Sequence, residues 1–197
     1  MSDSSKANML RINVKELTGS STLIGKTDGQ RDMPKFVSVV LQNDNDETLL
    51  WDWSGIEIAT ASYFATTVVP ALKMLISGEL NKYFIFVRMN KNCLDELKLV
   101  LESEELVVMF AETRGDRVQS VNLIGKLDPA YADTFAEVVH RKKVSAAELF
   151  RDFRPKNKVN IGKTAWANRL AGLSRLRLVR KEKIGRELVF RAPFLEA

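Results

Sequence analysis

Asn160-Ile-Gly-Lys-Thr-Ala-Trp-Ala-Asn-Arg-Leu-Ala-Gly-Leu-Ser-Arg-Leu-Arg-Leu-Val-Arg-Lys181 decides how the last third of the chain folds. From Ile161 to Arg175, Trp166, Leu170 and Leu173 recur at helical spacing and form one apolar stripe. That stripe leaves Lys163, Thr164, Asn168 and Arg169 turned outward. Beyond the helix, Leu178 to Glu182 and Glu187 to Arg191 read as two strands joined across Ile184-Gly185-Arg186, with glycine at the tip of the hairpin.

Upstream of this stretch the same unit predicts two further helices. Ala130 to Arg141 carries Tyr131, Phe135, Val138 and Val139 on one face. Ser145 is a natural N-cap, and Glu148 three residues on completes a capping box. Ala147, Leu149 and Phe150 supply the apolar side of the helix that follows, and Arg154 to Asn160 is a polar connector. The pattern is helix, helix, helix, two-stranded hairpin, and it begins at the Asp128-Pro129 break.

Charge is segregated along the chain. From Glu137 to Ala197 sixteen basic residues face six acids, a net +10. The remainder is −5, which together with the tail gives the +5 of the whole. A mildly acidic body with a strongly basic tail concentrates the tail near polyanions and gains affinity from counterion release.

The 197 residues, 45% of them apolar, suffice for two small cores. No stretch approaches the roughly 18 uninterrupted apolar residues a membrane span needs, and residues 1–8 read as a polar, loose tail. A cytoplasmic protein is expected. The single Cys93 and the single His140 exclude an internal disulfide and a Cys/His zinc cluster.

In the body, residues 9–14 suit a first strand, and Lys15 to Arg31, with Gly19, Gly25 and Gly29, read as turns around a second short one. Pro34 to Leu41 reads as a short helix. Thr48 to Trp53 is apolar on both parities until Asp52, as a central strand covered on both faces should be. Ser62 to Leu80 is helical by the spacing of Phe64, Val68, Leu72, Leu75 and Ile76, with Pro70 as a kink or restart. A buried strand (83–87), an amphipathic helix (95–104) and a hairpin of strands 106–111 and 118–124 follow. The alternation predicts an α/β sandwich of mixed sheet and helices.

Gly25-Lys26-Thr27 and Gly162-Lys163-Thr164 end like phosphate-binding loops, but Ser20 and Asn157 stand where such a loop needs its first glycine. Trp51 and Trp53 are core candidates, and His140 sits where a helix dipole favours a cation. Asp52 and Glu57 lie close, yet no nucleophile or acceptor accompanies them. No enzyme, metal site or cofactor is predicted.

Two resemblances give these readings a function. Asn160 to Lys181 with the Gly185 hairpin resembles the recognition helix and wing of bacterial winged-helix regulators, over roughly the last 65 residues (128–194 as a domain). It implies that the helix enters the major groove, Lys163 and Thr164 meeting phosphate or base edges, Asn168 and Arg169 reading bases, and Arg180, Lys183 and Arg186 gripping phosphates. Arg177 stands where these families turn with glycine.

Asp52 to Phe64 resembles the strand-to-helix junction of STAS-like domains, the fold of anti-sigma-factor antagonists, over residues 9–125. In the antagonists a serine at the position of Ser62 is phosphorylated. Here Thr60 and Ala61 replace the preceding Asp-Ser, and Tyr63 replaces the following glycine. Ser62 is therefore either a phosphorylation or partner switch or a plain N-cap.

The expectation is an α/β STAS-like domain plus a small α+β winged helix, forming a cytoplasmic, homodimeric DNA-binding regulator of transcription. Its partners would be double-stranded DNA and a protein at the STAS-like domain, with no membrane. The alternative is a partner-switching adaptor that docks a kinase-like ATPase.

Overall fold

The computed structural model describes residues 9–42, 47–78, 80–115, 117–153 and 161–194. The expected N-terminal tail and the connector Arg154 to Asn160 lie outside the described residues. The fold is mixed α/β, and it divides into two compact units between Lys126 and Leu127.

The first unit runs β1 (Met9–Asn13), α1 (Val14–Thr18), β2 (Thr22–Leu23), α2 (Gly25–Gln42), β3 (Thr48–Asp52) and β4 (Ile58–Ala59). It continues with α3 (Ala61–Thr66), α4 (Val68–Ser77), β5 (Tyr83–Val87), α5 (Lys91–Ser103), β6 (Val107–Arg114) and β7 (Arg117–Gly125). The sheet order is β1-β3-β5-β6-β7, parallel through β6, with β7 returning antiparallel. Because each parallel step moves in the same direction, right-handed crossovers place the connecting helices on one face. There Leu49, Trp51, Phe84, Phe86 and Val108 of one strand parity join Phe36, Val40, Phe64, Leu72 and Leu97 in a single core. Trp51 stacks on Phe36 with ring centroids 4.7 Å apart. Both tryptophans are core residues, as the sequence predicts.

Two expectations are overturned in this unit. Gly25 and Gly29 do not mark turns; they belong to α2, which starts nine residues before Pro34 and contains it. A Cβ on Gly29 would lie 2.6 Å from Thr66 Cβ, so glycine there lets α2 approach α3 closely. Ser62 is not an N-cap either. Thr60 holds that position in α3, making Ser62 its second residue. The restart foreseen near Pro70 occurs at Thr67, whose hydroxyl donates to the Tyr63 carbonyl at 2.7 Å. The second short strand read within Lys15 to Arg31 is β2, whereas α1 and β4 have no counterpart in the sequence pattern, being too short to show a period.

The second unit comprises α6 (Pro129–Arg141), β8 (Lys143–Ser145), α7 (Ala146–Phe153), α8 (Lys163–Arg175), β9 (Arg180–Ile184) and β10 (Glu187–Arg191). Asp128 caps α6 by accepting from Ala130 N at 2.8 Å, with Pro129 in the first turn. The capping box closes as the sequence predicts: Ser145 N donates to Glu148 Oε2 at 2.7 Å, and Glu148 N donates to Ser145 Oγ at 3.3 Å. Phe135, Val138, Leu149, Trp166, Leu170 and Leu173 are buried. The sheet has a third strand the pattern did not reveal, with order β8-β10-β9.

The end of α8 explains the odd arginine. Arg177 N donates to Ser174 O and Leu178 N to Leu173 O, the paired bonds of a Schellman termination. Its left-handed position falls on Arg177, at φ +59°. This backbone conformation ordinarily takes glycine.

Candidate functional site

At 100° per residue, the side of α8 opposite Trp166, Leu170 and Leu173 carries Thr164, Asn168, Ala171 and Arg175, all exposed. Lys163 is exposed at the first position of the helix, beyond the N-cap Gly162. Three of the residues predicted for this face, Lys163, Thr164 and Asn168, are thus available to a ligand.

The hairpin closes the other side. In its register Ile184 pairs with Glu187, so Gly185 and Arg186 form a two-residue loop, and Gly185 takes the φ of +60° that such a loop requires. Lys181 and Lys183 share one side of β9 and are exposed, as is Arg186. Between helix and hairpin lies a cleft of about 460 Å³. Lys163, Lys181 and Arg186 supply its cations, Asn168 its amide, and Ala167 and Leu188 part of its apolar wall. Lys181 was not among the residues expected here, and its place on the cleft follows from the pairing of β9 with β10.

Arg180 is a correction. Predicted to grip phosphate, it is only 2% exposed. It pairs with Arg191 at the base of the hairpin, four residues below Ile184. At about 3.3 Å per residue this places it roughly 13 Å short of the tip. Lys183 and Arg186, by contrast, lie at the exposed end.

Arg169 is not turned outward as expected. Its guanidinium carbon lies 5.2 Å from the centroid of the Trp166 ring, which it covers, and the side chain is half-buried. Trp166 packs on Phe153 at 5.3 Å, and Arg141 covers the far ring at 5.4 Å. Arg141 also bonds Glu137 at 2.9 Å and Asp152 at 2.5 Å. Its hydrogen bonds to Glu137 and then Asp152 hold Arg141 above its ordinary pKa, and the bond donated by Arg141 holds Asp152 below the usual carboxylate range. This stack ties α6, α7 and α8 together.

In the first unit, Ser62 is exposed, and its hydroxyl lies 3.2 Å from that of Thr60. The first N–H of α3, on Ala61, already donates to Glu96 at 2.7 Å. Nearby, Asp32 is fully buried between α2 and α3 and accepts from Arg31 at 2.9 Å, from Lys35 at 3.0 Å and from the Tyr63 hydroxyl at 3.3 Å. Burial pushes the Asp32 carboxyl up, but the bonds from Arg31 and Lys35 outweigh it and hold the group below its ordinary value. Burial, and then the Asp32 charge, push the Tyr63 hydroxyl upward. Asp52, 1% exposed, accepts a forked pair from Arg88 and the N–H of Ser54 at 3.0 Å. Its acceptor sites serve the fold, and Arg88 is held there at φ +55°.

Among the described residues no group of three His, Cys, Asp or Glu could hold a metal ion. No helix among them is long and apolar enough to cross a membrane. Comparison with protein-family models, with curated proteins and with solved structures found no match to this chain.

Proposed function

We propose that this chain is a DNA-binding regulator of transcription, with residues 128–194 acting as a winged helix and residues 9–125 as a STAS-like domain that senses a signal or docks a protein. One observation carries the reading: the exposed face of α8 and the cations of the hairpin converge on one cleft. In this reading α8 enters the major groove of double-stranded DNA, and Lys181, Lys183 and Arg186 ride the phosphate backbone. A homodimer covers two half-sites, and the regulator works in the cytoplasm.

The test is retention of a random pool of duplex DNA by the full chain over a salt series, with sequencing of what is kept. Enrichment of one sequence, with affinity falling steeply in salt, supports a specific regulator. Absence of retention refutes it.

A second reading, the partner-switching adaptor that docks a kinase-like ATPase, draws on the surroundings of Ser62. Ile24 and Ile58 are 51% and 49% exposed. Gly25 N donates to the Thr60 hydroxyl, which itself meets Ser62. A phosphorylatable hydroxyl beside exposed apolar side chains is the composition of a switchable protein contact. Phosphate on Ser62 after incubation with cell extract, together with a partner lost on Ser62→Asp, would favour this reading.

A further inference from the structure

We infer that the base edges read by α8 belong to A·T pairs, with Asn168 on adenine and the methyl groups of Ala167 and Ala171 against thymine. This rests on the DNA-binding reading and adds the sequence class to it. The argument begins with what the helix presents. Its exposed stripe is Thr164, Asn168, Ala171 and Arg175, flanked by half-buried Ala167. Asparagine offers one acceptor and two donors on a planar amide, which match adenine N6 and N7 in the major groove. Alanine at one-turn spacing brings two small apolar groups close to the groove floor, where the C5-methyl of thymine is the complementary surface. Thr164 accepts either pair, so it does not shift the preference.

The arginine that would favour guanine is engaged elsewhere. Arginine or lysine reads guanine through O6 and N7, and in this reading Lys163, at the first position of the helix, is engaged with phosphate. Arg169 lies over the Trp166 ring, on the flank of the helix rather than on its exposed stripe. Arg175 occupies the last turn, and recognition helices of this kind contact bases from their N-terminal part. The centre of the readable stripe therefore carries an amide and two methyls.

The experiment uses the full chain, a random-sequence duplex pool, and variants Asn168→Ala and Arg169→Ala. The expected motif contains at least one adenine whose preference Asn168→Ala flattens about 5- to 150-fold. Arg169→Ala should leave that motif unchanged. Rebuilding the enriched duplex with uracil for thymine, which removes the C5-methyl without touching the protein, should weaken binding several-fold. A motif centred on G·C pairs and flattened by Arg169→Ala overturns the inference while leaving the DNA-binding reading standing. Retention without enrichment overturns it too, as does an adenine preference indifferent to Asn168→Ala. Absence of any retention overturns both this inference and the reading beneath it.

Discussion

Replacing Lys183 and Arg186 with alanine removes two of the four exposed cations, Lys163, Lys181, Lys183 and Arg186, set around the cleft and hairpin. Each phosphate contact contributes about −0.9 to the slope of log affinity against log salt. If the proposed DNA-binding reading holds and all four meet phosphate, the slope is about −3.6, so raising salt from about 50 to 200 mM should weaken binding roughly 150-fold. The double variant should show a slope of about −1.8 and lose only about 12-fold over the same range. Fluorescence anisotropy of a labelled duplex across a salt series measures both slopes. Arg180→Ala provides the contrast. Because Arg180 is buried at the hairpin base, its replacement should lower the melting temperature and leave the slope of the folded fraction unchanged. The reasoning is refuted if the double variant keeps the parental slope. It is equally refuted if Arg180→Ala flattens the slope without a change in melting temperature.

Gly29→Ala gains about 1 kcal/mol of helix propensity but forces a Cβ within 2.6 Å of Thr66, an overpacking cost of about 1–3 kcal/mol, so a net loss is expected in urea titration. Ser145→Ala removes one half of the capping box and should cost about 1 kcal/mol, read as a drop in melting temperature of several degrees. Asp32 has a depressed folded pKa, so its stabilisation is present above the unfolded value of about 3.9 and fades as pH falls through the folded one. Melting temperature should consequently fall more steeply between about pH 5 and 3 in the parent than in Asp32→Asn, and equal slopes would count against the Asp32 network as the cause.

Local signals were legible where a few neighbouring residues make the decision. Ser145 and Glu148 form their box because both partners lie within one turn, and spacing alone specifies it. Trp51 and Trp53 read as core because the stretch Thr48 to Trp53 is apolar on both parities until Asp52. Lys163, Thr164 and Asn168 read as exposed because the opposite stripe of α8 is aromatic and aliphatic, which fixes the outward face of any helix formed there.

What the tertiary structure decided concerns residues whose surroundings come from elsewhere in the chain. Gly29 read as a turn, since its sequence neighbours give no hint that Thr66, thirty-seven positions away, lies against it. Strand β8 was invisible because three residues cannot show a period, and only pairing with β10 makes it a strand. Arg169 is the exception: it covers Trp166, three positions before it on the adjoining turn of α8, a local contact that helical spacing already implies. Arg180 and Lys183 look alike in composition, yet register buries one at the hairpin base and exposes the other near its tip. The sequence by itself determined most of the longer elements, through spacing and caps. Only the packed chain decided which cations reach the surface, because burial depends on distant partners and not on the side chain's own chemistry.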